Sequence, residues 1–330
     1  MRAAVVEELT GPDAVRVREF PEPIGAHEMS GGQRVLVEVH AASVSFPDLL
    51  QSRGAYQLAT EPPFVTGGEL AGVVAEADPA TGFAPGDRVA GLSMWGALAE
   101  YALALPLYTV KLPDEIDFVT GAALVLNSAT AVFAVERGQV KAGETALIHG
   151  AAGGVGTALI EVLKDLGARC IAVVSSDEKE QVAREVGADE VVRSTGPWRE
   201  QVQALTGGHG VEVVLDPVGG DRFTDSLRAL DVCGRLVVIG FAGGEIPTVK
   251  VNRLLLRDLT VTGVGLDPME RRFPGTTRRI TSRVVELAAR GALRPRIGAR
   301  LPLEDGAEAL RLLDRRQITG NIVVDVRPAG

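Results

Sequence analysis

Short apolar runs recur at close intervals through the first 120 residues: MRAAVV, AVRVREF, RVLVEVHAASVS, GELAGVVAEA, DRVAGL and ALAEYALAL, separated by Gly, Pro and Asp clusters. Runs of that length closed by turn residues predict a β-rich, barrel-like domain. From Thr145 the texture changes to alternating units: TALIHG, a glycine-rich turn, a helix near 157–166, ARCIAVV, a second helix and DEVVRS. This βαβαβ order predicts a parallel sheet. The alternation continues through a helix at 198–205, VEVVLDPV, a helix near 221–230, GRLVVIGF and LTVTGVGL, giving six strands in two mononucleotide-binding halves. After about residue 265 come an amphipathic helix with Ile280, Val284, Val285 and Leu287 on one side, then RIGARLPL, a helix EDGAEALRLLDRR and a last strand GNIVVDV. The predicted fold class is α/β, with a β-rich domain from 1–122 and 265–330 and a doubly wound six-stranded domain from 123–264.

A chain of 330 residues suits two domains, and 46% apolar with 23% charged residues is ordinary globular usage that excludes disorder, collagen and coiled coil. A net charge of −9 without a basic block leaves no footprint for a nucleic-acid backbone. The most apolar stretch, 121–135, contains Asn127, Ser128 and Thr130 and is shorter than the roughly 20 residues a membrane span requires. The opening MRAAVVEELTG lacks the basic-then-apolar form of a secretory signal, so a cytoplasmic protein is expected. Cys170 and Cys233 lie in apolar runs and read as small buried hydrophobes, and two cysteines cannot form a four-cysteine zinc site.

The chemistry concentrates in TALIHGAAGGVGTALIEVL, where Gly150, Gly153 and Gly156 stand three residues apart between a strand and a helix. With Ala151, Gly154 and Val155 they form a loop whose backbone N–H groups can approach a pyrophosphate at the helix N-terminus. The spacing is GxxGxxG, and a ligand-free tight turn is the alternative. An NAD site places an acid at the end of the second strand, roughly 20 residues past the loop; here that strand ends in Val174, Ser175 and Ser176. Serine hydroxyls can donate to a 2′-phosphate, and Lys179 with Arg193 can supply the counter-charge, so NADPH is the expected cofactor, with Asp177 close by as a reservation. Ser175 with Glu178 also fits a capping box, and Lys179 and Arg193 also read as solvated charges. Gly240, Phe241 and Ala242 end the fifth strand, where a dinucleotide's nicotinamide ribose is expected.

The motifs MRAAVVEE, VLVEVHAASVSFPDLLQSRGAY, PFVTGGELAGVV, GFAPGDRVAGL, GALAEYAL, GETALIHGAAGGVG, GADEVV, VLDPVGG and GRLVVIG run over nearly the whole chain. Together they resemble the zinc-independent quinone oxidoreductase branch of the medium-chain dehydrogenase/reductase superfamily, the group that includes zeta-crystallin. The resemblance implies a GroES-like catalytic domain built from both chain ends, a Rossmann domain between them, an active site in the cleft and usually a homodimer. It places Ser45, Gly68 and Leu126 where zinc-dependent relatives carry metal ligands, so no metal is expected. Relatives commonly have Asn at Ser45, Gln at Glu161 and Lys at Asn321. Asn127 and Thr130 match positions that contact the nicotinamide end, and Asn321 matches one that reaches the cofactor.

In such enzymes nicotinamide carries the hydride, and the protein orients the ring, polarises the acceptor and excludes water. Tyr56 is the leading donor to the acceptor oxygen, with a buried structural tyrosine as the alternative. Ser45 and Asp48 follow, Asp48 reading equally as a turn-stabilising carboxylate. Trp95 reads as a cleft wall or as core. The expected function is NADPH-dependent, metal-free hydride transfer to a small-molecule quinone. Reduction of enones or enoyl thioesters is the alternative, with Arg253, Arg257, Arg271 and Arg272 as candidates for a carrier arm. A non-catalytic NADPH-binding protein is the alternative of another class.

Overall fold

The computed structural model describes residues 1–327. The chain forms two compact units: Met1–Leu126 with Thr277–Gly291 and the residues from Pro295 onward, and Asn127–Thr276 with Ala292–Arg294.

The first stretch carries strands β1 (Arg2–Val6), β2 (Val15–Glu19), β3 (Val35–Val44), β4 (Phe64–Val65), β5 (Glu69–Ala77), β6 (Arg88–Leu92), β7 (Tyr101–Leu103) and β8 (Val110–Lys111), with helices α1 (Phe46–Ser52) and α2 (Phe118–Ala122). Helix α3 (Val125–Arg137) leads into β9 (Thr145–His149), α4 (Gly154–Leu166), β10 (Arg169–Val174), α5 (Asp177–Val186), β11 (Glu190–Arg193), α6 (Trp198–Leu205), β12 (Val211–Asp216), α7 (Phe223–Ala229), β13 (Leu230–Val238), α8 (Asn252–Leu255), β14 (Thr260–Gly263) and α9 (Leu266–Arg272). The chain closes with α10 (Thr276–Ala289), β15 (Ile297–Pro302), α11 (Gly306–Asp314) and β16 (Asn321–Asp325).

In the β-rich unit a three-stranded sheet runs β2-β1-β4, and a larger sheet runs β15-β16-β3-β5-β6-β8 with β7 also on β3. The ten-residue β3 is central because its apolar side chains are covered along most of its length, and it pairs antiparallel with both β5 and β16. The pairing of Ser43 with Glu69 sets the end of β3 beside the start of β5. Val37, Val39, Leu70, Val74, Ile322 and Val324 are buried in one core.

The second unit is the doubly wound sheet that the alternation predicts. Its six parallel strands run β11-β10-β9-β12-β13-β14, so the order reverses between β9 and β12. The inner strands are near-continuous apolar runs because helices cover both faces of such a sheet. Helix α4 begins at Gly154, three residues earlier than the pattern suggests, because Gly153 serves as its N-cap. It ends on Gly167 in the left-handed conformation, φ 79°. The helix predicted near 221–230 is shorter: a 3-10 turn at Gly220–Arg222 precedes α7, and Leu230 already begins β13.

Cys170 is buried as expected, but Cys233 is exposed, against the expectation for its apolar run. The cause is register. Val211 pairs with Leu230 and Val213 with Arg235, so β13 advances five residues while β12 advances two. The surplus bulges outward, and Cys233 sits in it with φ 63°. Among the described residues no helix is long and apolar enough to cross a membrane.

Gly156 is the tightest point of the glycine loop. A Cβ there would lie 2.6 Å from the Ala151 Cα and closer still to the Gly150 carbonyl oxygen. The clash is with backbone, which cannot rotate away. Gly156→Ala is therefore expected to destabilise the protein by about 3 kcal/mol, read from denaturant unfolding; a loss within error of zero would show that α4 can shift.

Candidate functional site

The glycine loop follows directly from β9. Gly150 is exposed and turns with φ 60°, and Ala151 and Ala152 tuck under it. Because Gly153 has no side chain, nothing caps the first-turn N–H groups of α4, which comprise those of Gly154, Val155 and Gly156. An uncapped helix start beside a loop of glycines and buried alanines fits a polyphosphate.

The loops after β12 and β13 are tied together by Asp216, a residue that sequence reasoning passed over. Its Oδ1 accepts the N–H groups of Val218 and Gly219, each at 2.9 Å, and its backbone oxygen accepts that of Ile239 at 2.9 Å. Ala242 N–H donates to the Pro217 oxygen at 3.1 Å and Gly243 N–H to the Val218 oxygen at 2.8 Å. A Cβ on Gly150 would come within 3.0 Å of Val218 Cγ2. An acid at a strand end, as in VEVVLDPV, is the signal that could have found it. His149, the last residue of β9, is fully buried with its Nε2 2.8 Å from Ser226 Oγ and its ring edge-on to Trp198. Ser226 Oγ donates onward to the Arg222 oxygen, so His149 Nε2–H is the donor of that pair. Burial holds the imidazole well below its usual range and therefore neutral.

Ser175, Ser176, Lys179 and Arg193 stand around the end of β10 and the start of α5. Ser176, not Ser175, caps α5, its Oγ accepting the Lys179 N–H at 3.3 Å. Ser175 is exposed and accepts from Lys179 Nζ at 3.2 Å. Arg193, across from Val174 in the register, donates Nε to Glu180 Oε2 at 3.0 Å and is ion-paired with Asp177.

Gly240 and Phe241 line a pocket of about 470 Å³ in the nucleotide-binding unit. Its other walls are Val238, Ile239, Gly263, Val264, Gly265, Pro268, Met269 and Arg137, none of them a site candidate in the sequence. Arg137 Nη2 donates to Thr262 Oγ1 at 2.9 Å. Asn127 and Thr130 are half-buried three residues apart on α3 and share one of its faces.

In the β-rich unit Ser45 N-caps α1. Asp48 Oδ2 accepts both the Ser45 N–H at 2.6 Å and its hydroxyl at 2.9 Å. With its proton so engaged, the Ser45 hydroxyl has only its acceptor capacity left. Asp48 is fully buried, and burial pushes its carboxyl up to about 6. Its Oδ1 has no hydrogen-bond partner and lies 3.2 Å from where a Cβ on Gly68 would sit, so the carboxylate occupies the space beside that glycine.

Glu69, unmarked by the sequence reading, is the other buried acid. Its Oε1 accepts the N–H groups of Val125 and Leu126 at 2.7 and 2.8 Å, which fixes the first turn of α3. Burial pushes its carboxyl up to about 8, and Asp48 adds to the rise. Glu161 is likewise pushed up to about 7 by burial, while both its oxygens accept the Arg294 N–H at 3.2 Å. Tyr56 is half-buried in the loop after α1. Trp95 packs on the β-rich core with its ring 4.6 Å from that of His27. Asn321 is buried in β16, its Nδ2 donating to the Arg296 oxygen at 3.0 Å.

A doubly wound sheet with an uncapped glycine loop, in one chain with a β-rich unit, defines a nucleotide-binding oxidoreductase of the dehydrogenase/reductase type. A family model described as alcohol dehydrogenase GroES-like domain matches residues 31–114, and one described as zinc-binding dehydrogenase matches residues 154–282. Quinone oxidoreductase-like protein 2 of Bos taurus is 36% identical over 332 residues, covering 99% of this chain and 93% of the relative. A mycobacterial structure complexed with NADPH is 32% identical with a TM-score of 0.89, covering 98% of this chain and 99% of that one. The Escherichia coli quinone oxidoreductase complexed with NADPH is 26% identical with a TM-score of 0.88, covering 98% and 100%. The chain belongs to the quinone oxidoreductase-like branch of the medium-chain dehydrogenase/reductase superfamily. Despite the second model's name, Ser45, Gly68 and Leu126 do not make a zinc donor set: the hydroxyl serves Asp48, glycine has no ligand atom and leucine is apolar. Among the described residues no group of three His, Cys, Asp or Glu stands together to hold a metal.

The raised acids have a consequence for stability. Unfolded, Asp48, Glu69 and Glu161 titrate near their ordinary values, so between about pH 5 and pH 8 these three acids hold more protons in the folded state and their contribution to stability falls as pH rises, while buried His149 acts in the opposite sense at the lower end of that range. Glu69→Gln keeps an acceptor for α3 and never ionises. It is expected to shrink the loss of melting temperature between those limits by about 3 °C or more in calorimetry. An equal slope in both proteins would show that Glu69 is not the group responsible.

Proposed function

We propose that the protein is an NADPH-dependent, metal-free reductase that transfers a hydride to a small-molecule quinone. The observation that carries this reading is the uncapped start of α4 beside a Ser175–Lys179 pair, a donor set suited to pyrophosphate and 2′-phosphate. Two similar structures complexed with NADPH support it. Bound NADPH supplies the hydride, and the residues of the chain do the rest. The first turn of α4 holds the pyrophosphate, Ser175, Ser176, Lys179 and Arg193 serve the adenosine end, and Gly240, Phe241 and Ala242 with Asn127 and Thr130 serve the nicotinamide end. Asn321 has a weaker claim, since its amide already serves Arg296. Charge builds on the acceptor oxygen during transfer, and the Tyr56 hydroxyl is the donor assigned to it. Ser45, oriented by Asp48, assists as an acceptor.

Anaerobic loss of nicotinamide absorbance, with NADPH and NADH each offered against quinones, enones and an enoyl thioester, tests the reading. NADPH-driven turnover on quinones is expected. Turnover on enones or the thioester alone would move the reaction to double-bond reduction, and binding without turnover would make the protein a cofactor binder. Tyr56→Phe is expected to lower kcat by about 10–100-fold with NADPH affinity unchanged.

We further propose a homodimer through β14. It is an edge strand of the sheet, and Ile246, Val251, Leu255 and Leu256, exposed apolar side chains, precede it in the chain. Light scattering is expected to give twice the chain mass; a monomeric mass would overturn the assignment.

A further inference from the structure

We propose that Asp177 makes the adenosine end of the nucleotide site serve both phosphorylated and unphosphorylated nicotinamide cofactors, so that the protein accepts NADH as well as NADPH. The inference rests on the cofactor reading above and adds a residue that determines the choice between the two.

Arg193 ends β11 and reaches across the register from Val174 toward the first turn of α5. That turn carries Asp177, Glu178 and Glu180, so three carboxylates accompany the cations of Lys179 and Arg193. Glu180 Oε2 takes Arg193 Nε at 3.0 Å and Nη2 at 2.8 Å, and Asp177 Oδ1 is ion-paired with the same Nη2. The guanidinium proposed to meet a 2′-phosphate therefore already sits between two carboxylates.

The two acids differ in how firmly they are held. Glu180 is also paired with Arg184 at 2.9 Å, and hydrogen bonds from Arg184 and Arg193 keep its carboxyl below the usual range, so it stays ionised in place. The Asp177 side chain is fully exposed and has Arg193 as its ion-pair partner. An exposed pair of this kind is worth little, so an incoming phosphate can take the place of Asp177 on Arg193. Lys179 Nζ donates to the neutral Ser175 hydroxyl at 3.2 Å, and no carboxylate among the described residues is ion-paired with it, so it can turn to the same phosphate.

A ribose with a free 2′-hydroxyl needs the opposite group, an acceptor just past the second strand. Asp177 lies three residues beyond Val174 and offers an exposed carboxylate there. Its side chain is not needed to start α5, because Ser176 supplies the cap. With Asp177 facing the ribose the site accepts NADH; with Asp177 displaced, Arg193 and Lys179 accept NADPH.

Titration of the fluorescence of each reduced cofactor against wild type, Asp177→Asn and Asp177→Ala tests this without turnover. Wild type is expected to bind NADPH and NADH with Kd values within about tenfold of each other. Asp177→Asn should tighten NADPH by removing the competing charge, and Asp177→Ala should also weaken NADH, each moving the ratio toward NADPH by about tenfold. Arg193→Gln should weaken NADPH alone. A wild-type preference of more than about a hundredfold for NADPH, or a ratio unmoved by both Asp177 variants, would overturn the proposal while leaving the cofactor reading intact. Failure of both cofactors to bind wild type would overturn that reading and this proposal with it.

Discussion

Within the nucleotide-binding unit, the approach of α4 to the loop after β9 governs the rest. The Gly156 position lies against the backbone of Gly150 and Ala151 with no room for a side chain. That closeness brings the uncapped end of the helix to the point where the strand order reverses, between β9 and β12. A bulkier residue would push the helix off the sheet and carry its donors away from the loop they are meant to serve.

Three helix starts in the structure are completed in three ways. Helix α5 is capped by a serine, α3 by the side-chain oxygen of Glu69 from β5, and α4 by no side chain at all. The first two are closed, self-sufficient ends. The third leaves its first-turn donors without a side-chain partner, the arrangement that suits an anion.

Much of this was legible in the sequence. The strand-helix alternation after Thr145, the six-stranded sheet and the place of the glycine loop follow from local periodicity, which a single segment carries by itself. The features it did not carry depend on pairing between distant segments. Glu69 reads as one acid in an apolar run, and its role appears only when α3 meets it. Cys233 reads as buried because nothing local reveals that β13 has surplus residues relative to β12. Ser175, Lys179 and Arg193 were recognised as a group, but the ion pairing of Arg193 with Asp177 and Glu180 requires the register of β10 and β11. Ser45 was read as a donor, and only its geometry with Asp48 turns it into an acceptor.

The cross-bonding around Asp216 has a further effect. Its side-chain and backbone oxygens, with the Pro217 and Val218 carbonyls, join the loops after β12 and β13, and Val218 packs against Gly150 of the loop after β9. These bonds are made by the chain's own groups and restrain segments that would otherwise sample many conformations. A dinucleotide settling on this rim has little chain entropy to remove, so more of its contact energy is left to appear as affinity.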